Sequence, residues 1–315
     1  MKQSRVPTAV RVQNGLDNPT TAAYREAVRR YARKPWVTGV MISLREKDGR
    51  LDIAGGPVIA IHVRKKVGPR YVIASRRIPG EILGVPTDVV QVNTEPSDTP
   101  VGIPTAFTLP LCPGRSIGRE TVGSAGTLGA IVRNDDGERC LLTARHVLFG
   151  GGSGTKKVKI VHPGPVDAAA PGASQVIAQV TRTHLGADAG VARLIPQTLS
   201  SNNNAGGGTV TIGPPEEPIL GNVVNKSGRT TGDTQAIIQG WGTGQLGVYP
   251  ALLLRGVDGA PGKSWDAGDS GSVWFDAFSG GAIGLHVGNA AGATTDYGVA
   301  TQLTYIFEQL DLSWI

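Results

Sequence analysis

Some features are scarce in this chain of 315 residues, and each scarcity excludes a class of protein. Its 2 cysteines, Cys112 and Cys140, are too few for the multi-bridge framework of a small secreted scaffold. We expect two reduced, buried thiols, with a single bridge between them as the alternative. The sequence also has no apolar run of about eighteen residues or more, so it predicts no membrane-spanning helix.

Glycine and proline are instead abundant, at 45 and 21 residues. Long stretches with helical periodicity are few, whereas short apolar runs bounded by turn residues recur along the chain. These features predict a mainly β protein built from many short strands and turns. The length allows two domains of ordinary size.

Positive charge is concentrated in the first third of the chain. Residues 1–110 hold 17 Lys and Arg against 9 Asp and Glu, whereas residues 111–315 hold 14 against 16. This asymmetry predicts an anionic partner, a solvated basic face, or a face that complements an acidic patch of the neighbouring domain. Because the sequence has no zinc-finger spacing, helix-turn-helix pattern or aromatic-basic RNA motif, it does not favour nucleic-acid binding.

Three separate segments supply the residue types of a nucleophilic site. His146 lies in Thr-Ala-Arg-His, Asp188 in Gly-Ala-Asp-Ala-Gly, and Ser270 in Gly-Asp-Ser-Gly-Ser. A serine hydroxyl needs a neighbouring base to become nucleophilic, histidine titrates near neutrality, and a carboxylate can orient the imidazole. We therefore predict Ser270 as nucleophile, His146 as base and Asp188 as orienting acid, with the N–H groups of Gly268 and Ser270 as the oxyanion hole.

Each of these assignments has an alternative. Gly-Asp-Ser-Gly is also an ordinary turn sequence, and a lone histidine in an apolar strand is often a core residue. Asp167 is a rival to Asp188, although its Pro- and Gly-rich surroundings indicate a loop. A protein that keeps the fold without the activity would show the same segments.

The three segments, in the chain order His, Asp, Ser, resemble those of the trypsin/chymotrypsin-like serine protease superfamily. The resemblance implies two six-stranded antiparallel β-barrels from Leu111 onward, with His146 and Asp188 on the first and Ser270 on the second. Two positions depart from the common pattern. Arg145 replaces the alanine before the histidine, and Ser272 replaces the second glycine after the serine.

A fourth segment narrows the resemblance to bacterial α-lytic-type and streptogrisin-type proteases. Residues 226–232 read Lys-Ser-Gly-Arg-Thr-Thr-Gly, similar to a segment of those enzymes whose cation pairs with the aspartate before the nucleophile. The resemblance implies that Lys226 pairs with Asp269 and that no cut N-terminus is needed for this contact. The alternative is a solvated lysine on a glycine-rich hairpin.

Residues implied to bind substrate follow from position within the same family. The strand Gly-Leu-His-Val-Gly-Asn at 284–289 is similar to one in bacterial glutamyl endopeptidases, where the histidine contacts the substrate carboxylate. It implies that His286, with Gly288 and Ser264, lines the primary specificity pocket and that cleavage follows glutamate. The alternatives are that His286 lines a neutral pocket or points into the barrel.

The region before the barrels has an organisation of its own. The sequence predicts a basic helix at 22–33, a hairpin of Val37–Leu44 with Pro57–Val63, and a strand at Val85–Val92. We divide the chain into a small α+β domain at 1–93, a linker at 94–110 and a protease domain at 111–315. The first domain is either a removable pro-segment or, as we favour, a permanent module for regulation, partner binding or self-assembly.

We therefore predict a serine endopeptidase that hydrolyses protein or peptide substrates through an acyl-enzyme intermediate. The chemistry requires no metal and no cofactor. Met1–Leu16 lacks the apolar core of a secretory signal, so the expected location is the cytoplasm, with leaderless secretion as the alternative. The competing function is a catalytically weak or inactive protease-fold scaffold.

Overall fold

In the described residues between 18 and 94, the chain has one α-helix, four strands and two short 3-10 helices. The computed structural model describes residues 18–47, 50–94, 106–149, 158–203, 210–244, 247–257, 263–292 and 296–315. The first elements are α1 (Asn18–Tyr31), β1 (Val37–Lys47), β2 (Arg50–Val63), β3 (Glu81–Ile82) and β4 (Val85–Thr94). The antiparallel pairing of β1 with β2 confirms the predicted hairpin, and β4 contains the predicted Val85–Val92 strand.

Seven strands and a short helix follow and form the first barrel. They are β5 (Ser116–Arg119), β6 (Gly126–Thr127), β7 (Ala130–Arg133), β8 (Arg139–Ala144), α2 (Arg145–Phe149), β9 (Lys159–His162), β10 (Gln175–His184) and β11 (Ala189–Leu194). The strand order is β7-β8-β11-β10-β9-β5, and β6 pairs with β5. The Leu128 N–H donates to Arg115 O at 2.8 Å, so the bent run from β6 to β7 joins the two ends of the sheet.

The next strands belong to the second barrel. They are β12 (Gly213–Pro215), β13 (Val223–Gly228), β14 (Gly232–Thr243), β15 (Ala251–Gly256), β16 (Val273–Asp276), β17 (Gly281–Gly292) and β18 (Asp296–Gln302), followed by α3 (Leu303–Leu310). The last strand, β19 (Ser313–Trp314), pairs with β7 of the first barrel. Strands β13, β16, β17, β18, β15 and β14 pair antiparallel in that order, and β13 pairs with β14 to close a six-stranded ring. The predicted mainly β, chymotrypsin-like double barrel is confirmed.

The N-terminal strands are joined to the second barrel by hydrogen bonds. Strand β1 pairs with β14, β2 pairs with β1 and β4, and β4 pairs with β17. These strands therefore extend the sheet of the second barrel instead of forming a sheet of their own. The predicted division at 93 and 110 stays a prediction, and residues 95–105 of the predicted linker lie outside the described residues.

Separate apolar cores stabilise the two barrels and the seam between them. Leu128, Leu141 and Ile160 belong to the core of the first barrel. Val132, Val273 and Leu285 belong to a core shared by the two barrels and covered by α3. Burying such side chains supplies most of the folding free energy, and the shared core fixes how the barrels face each other.

Both cysteines are buried and unpaired, as the composition predicted. Burial raises the pKa of the Cys140 thiol to about 11, so this group stays protonated and inert at neutral pH. Among the described helices, none is long and apolar enough to cross a membrane.

Candidate active site

The candidate base and acid lie on the first barrel and form a short pair. His146 is in α2, directly after β8, and Asp188 is in the turn between β10 and β11. The His146 Nδ1 lies 2.6 Å from Asp188 Oδ2, and the His146 N–H donates to Asp188 Oδ1 at 3.1 Å. The Arg145 N–H donates to Asp188 O at 2.8 Å. Asp188 therefore holds both the imidazole ring and the first turn of α2.

The backbone of Asp188 is shaped for this contact. Its φ is +46°, in the left-handed region that aspartate tolerates better than most side chains. Because the Asp188 carboxylate accepts at Nδ1, a neutral His146 would carry its proton there and leave Nε2 as an acceptor. This is the tautomer that a general base needs.

The candidate nucleophile lies on a tight loop of the second barrel. We call residues 266–270 the oxyanion loop. Its backbone turns through Gly268, with φ +98°, and the next glycine, Gly271, has φ +93°. Within the described residues, neither the Gly268 N–H nor the Ser270 N–H donates to a protein acceptor. An oxyanion hole requires two N–H groups near the serine that are not already bonded to a protein acceptor.

Contacts between the barrels bring the serine segment against the histidine segment. The Thr127 N–H, from the first barrel, donates to Ser270 O at 2.9 Å. A methyl group added at Gly126 would lie 3.1 Å from Ser270 O and would collide with Val147, the neighbour of His146. The structure thus brings His146, Asp188 and Ser270 to one interface. No hydrogen bond links the Ser270 hydroxyl to His146 within the described residues; such bonds are often long in unliganded enzymes.

Lys226 and Asp269 form a buried ion pair behind the oxyanion loop. Lys226 Nζ lies 3.0 Å from Asp269 Oδ2, and both side chains have 0% exposure. Asp269 also accepts from the N–H groups of Thr230 and Thr231, at 2.8 and 3.1 Å. Burial raises the pKa of Asp269, but the Lys226 ammonium and the hydrogen bonds outweigh it and hold the pKa below its usual range. The pairing is the one that the resemblance implied.

Arg229 and Asp167 form a second buried pair, which sequence reasoning missed. Arg229 Nε donates to Asp167 Oδ2 at 2.7 Å, and a second guanidinium nitrogen contacts Oδ1. Asp167 belongs to the first barrel and Arg229 to the second, so the pair links them. Because its carboxylate is occupied by Arg229 and Ser116, Asp167 is not the partner of His146. The sequence signal for this pair is Arg229 itself, which lies in the motif at 226–232. If that motif is buried, its arginine requires a carboxylate partner.

The residues implied to bind substrate lie on β17 and near its neighbours. His286 has 1% exposure, and Trp274 Nε1 donates to its Nδ1 at 3.3 Å. Burial, followed by the nearby Lys226 charge, lowers the pKa of His286 to about 3, so the ring is neutral. Gly288 is buried on the same strand. Ser264 is half-buried and accepts from Thr234 Oγ1 at its carbonyl, at 2.8 Å.

The described residues contain no group of three or more His, Cys, Asp or Glu side chains arranged to hold a metal ion. The serine, the imidazole, the carboxylate and the two N–H groups without a protein acceptor are the reactive groups at this interface. These groups are those of acyl transfer through a serine ester.

Solved structures that resemble this one are serine proteases. Protease A of Thermobifida fusca is 20% identical with a TM-score of 0.47, and the match covers 65% of this chain and 99% of that chain. The Nocardiopsis protease is 19% identical with a TM-score of 0.47, and the match covers 64% of this chain and 96% of that chain. The chymotrypsin of Cellulomonas bogoriensis is 18% identical with a TM-score of 0.47, and the match covers 65% of this chain and 97% of that chain. The sequence matches no family model and no curated protein. The structures similar to this chain are thus bacterial proteases of the trypsin/chymotrypsin-like type, the type that its motifs resemble.

Proposed function

We propose that the protein is a serine endopeptidase that uses Ser270, His146 and Asp188. The observation that carries the proposal is the 2.6 Å contact of His146 Nδ1 with Asp188 Oδ2 on the first barrel, facing a serine loop of the second barrel. The loop also offers two N–H groups that make no protein hydrogen bond within the described residues. Each part has a separate role in acyl transfer, and their combination supports the proposal.

In this mechanism the Ser270 hydroxyl attacks the carbonyl carbon of the scissile peptide bond. His146 Nε2 takes the hydroxyl proton, and Asp188 stabilises the resulting imidazolium at Nδ1. The carbonyl oxygen becomes an oxyanion, which the Gly268 and Ser270 N–H groups bind. When the C–N bond breaks, His146 returns the proton to the leaving amine. A water molecule, deprotonated by His146, then attacks the ester carbonyl, and His146 returns this proton to the Ser270 oxygen as the C–O bond breaks and the carboxylic acid is released.

Labelling with a fluorophosphonate tests the proposal directly. We expect one adduct per chain at Ser270, seen by mass spectrometry, and none in Ser270→Ala. His146→Ala should lose at least about 10³-fold in labelling rate, because the hydroxyl then has no base. Cys140→Ala is a matched control far from the chemistry and should label as the natural chain does. Absence of an adduct in folded natural protein would favour the alternative, an inactive scaffold.

The proposed specificity remains cleavage after glutamate. Its support is the position of His286 on β17, where the His286 carbonyl accepts at 2.8 Å from the N–H of Gly271, the residue after Ser270. Because burial keeps the ring neutral, His286 would act as an N–H donor to a carboxylate and not as a cation. A peptide-library digest tests this: cleavage after Glu, lost in His286→Gln, is expected, and cleavage after aliphatic or basic residues would contradict it.

We propose that the N-terminal part is a permanent module, which regulates the site or binds a partner or a second copy of the chain. Its support is that β1 pairs with β14 and β4 pairs with β17. Removal of residues 1–93 would leave these edges of β14 and β17 without a partner strand. The mass of the protein purified from its natural source tests this. A mass lacking about the first hundred residues would identify a pro-segment instead.

A further inference from the structure

We propose that Thr230 is a positioning residue that sets the direction of the Gly268 N–H in the oxyanion hole. The inference rests on the proposed endopeptidase function, and it adds a residue of the second barrel to the machinery. Thr230 lies between β13 and β14, next to Arg229, and its hydroxyl reaches the oxyanion loop.

The first step of the argument is the peptide between Ala267 and Gly268. Thr230 Oγ1 donates to Ala267 O at 2.6 Å. This peptide is trans, so its C=O and its N–H point in opposite directions. A carbonyl that is held toward Thr230 therefore turns the Gly268 N–H away from Thr230, where it makes no hydrogen bond to the described residues.

The second step concerns the alternative orientation of the same peptide. Gly268 has no Cβ to restrict its backbone, so rotation of the Ala267–Gly268 peptide would be inexpensive without a restraint. Rotation would place a carbonyl oxygen where the substrate oxyanion has to bind. An oxygen there would repel the oxyanion instead of donating to it. The hydrogen bond from Thr230 Oγ1 to Ala267 O opposes this rotation, because the peptide cannot rotate without breaking that hydrogen bond.

The third step is that Thr230 is itself held in place. Arg229 Nη1 donates to Thr230 Oγ1 at 3.0 Å, so the hydroxyl is left to donate its own proton to Ala267 O. The Arg229 guanidinium is fixed by Asp167 of the first barrel, and both side chains are buried. The first barrel thus restrains the oxyanion loop of the second through Arg229 and Thr230.

The fourth step is the close packing around Gly268. A methyl group added there would lie 2.5 Å from Thr230 Oγ1 and would collide with Arg229. On the far side of Gly268, Thr127 Oγ1 donates to Gly268 O at 2.9 Å. The carbonyls before and after Gly268 are therefore both bound to threonine hydroxyls, one from each barrel. Of the N–H and C=O groups in the two peptides that flank Gly268, the Gly268 N–H makes no hydrogen bond to the described residues and is left for the substrate.

The test compares Thr230→Val, which keeps the shape but removes the hydroxyl, with Thr230→Ser, which keeps the hydroxyl. The probe is p-nitrophenyl acetate, whose burst of nitrophenol counts active Ser270 and whose burst rate measures acylation. We expect Thr230→Val to keep the burst amplitude and to lose about 10- to 100-fold in acylation rate, approaching the loss of one oxyanion donor. Thr230→Ser should stay within about threefold of the natural chain.

Thr38→Val is the matched control, since Thr38 Oγ1 donates to Val92 O at 3.1 Å, in the N-terminal strands. It should acylate at the natural rate. An unchanged rate in Thr230→Val, an equal loss in both Thr230 variants, or a smaller amplitude at an unchanged rate would each overturn the role of Thr230. A natural chain without a burst, or a burst that persists in Ser270→Ala, would instead overturn the endopeptidase function.

Discussion

At the scale of single residues, the candidate site depends on charges that are buried in pairs. Burial lowers the pKa of Lys226, and the neighbouring Asp269 charge partly restores it. The aspartate is held below its usual pKa by the lysine and by hydrogen bonds. The two groups lie 3.0 Å apart, and each compensates the cost of burying the other.

Lys226→Met should destabilise the protein strongly, because it leaves the Asp269 carboxylate buried without a cation. We expect the free energy of unfolding to fall by about 3–5 kcal/mol, measured by urea denaturation. Replacing both partners, as Lys226→Met with Asp269→Asn, should recover part of this loss. Lys263→Met is the control, since Lys263 is 75% exposed and pairs with Asp266 at the surface. An equal urea midpoint for Lys226→Met and the control would contradict the prediction.

His62 should make the protein less stable at acid pH. It lies buried in β2, outside the site, and burial lowers its pKa from 6.5 to about 4. The folded state keeps the ring neutral, whereas the unfolded state takes up a proton near pH 6.5. The stabilisation is therefore complete above pH 6.5 and is lost as the pH falls from there toward 4. Unfolding in urea between pH 7.5 and 4 should show a smaller loss for His62→Gln than for the natural chain; parallel profiles would refute this.

The sequence could point to His146, Asp188 and Ser270 because each lies in a short contiguous motif, and their joint role stays a prediction. It left Asp167 as a rival of Asp188, and only the structure shows the carboxylate of Asp167 bound to Arg229. These two residues are 62 positions apart and lie on different barrels, so no local pattern connects them. Side chains whose role depends on a distant partner could not be assigned from the sequence.

At the scale of elements, the hairpin of β1 and β2 was predictable but its neighbours were not. Local alternation and the turn between the strands indicate a hairpin, whereas pairing of β1 with β14 depends on residues some two hundred positions away. One signal was present. Val40, Met41 and Ile42 are consecutive apolar residues, typical of a strand buried on both faces. Val40 and Ile42 belong to one core and Met41 to another.

Ile42→Ala should therefore destabilise the molecule as a whole and not only its N-terminal part. Ile42 is 1% exposed in the core that α1, the hairpin and the second barrel share. Removing three methyl or methylene groups from such a core costs about 2–5 kcal/mol. Ile53→Ala is the control, because Ile53 lies in the same hairpin and is 60% exposed. Urea unfolding followed by tryptophan fluorescence should give one transition at lower urea for Ile42→Ala; a separate early transition would show that the N-terminal part unfolds independently.

At the scale of the whole molecule, the N-terminal strands close a second ring on the outside of the second barrel. Strands β1, β2 and β4 connect β14 to β17 by one path of paired strands. Strands β15 and β18 of the barrel connect the same two strands by another path. The space between is filled by side chains from both parts, among them Met41, Val92, Leu253 and Val299. The N-terminal part and the second barrel thus share one apolar core.

A shared core predicts that the two parts stay together even when the chain between them is cut. A protease recognition sequence inserted between residues 94 and 106 allows the cut to be made after folding. We expect the two fragments to elute as one species in native size-exclusion chromatography and to separate only in strong denaturant, because separation would expose both the β14 and β17 edges and the shared core. The cut protein should also keep its rate of fluorophosphonate labelling. Fragments that separate in buffer while Ser270 stays reactive would contradict this prediction. They would show that the barrels form a complete unit without residues 1–93. The N-terminal part would then be an attached domain and not an integral one.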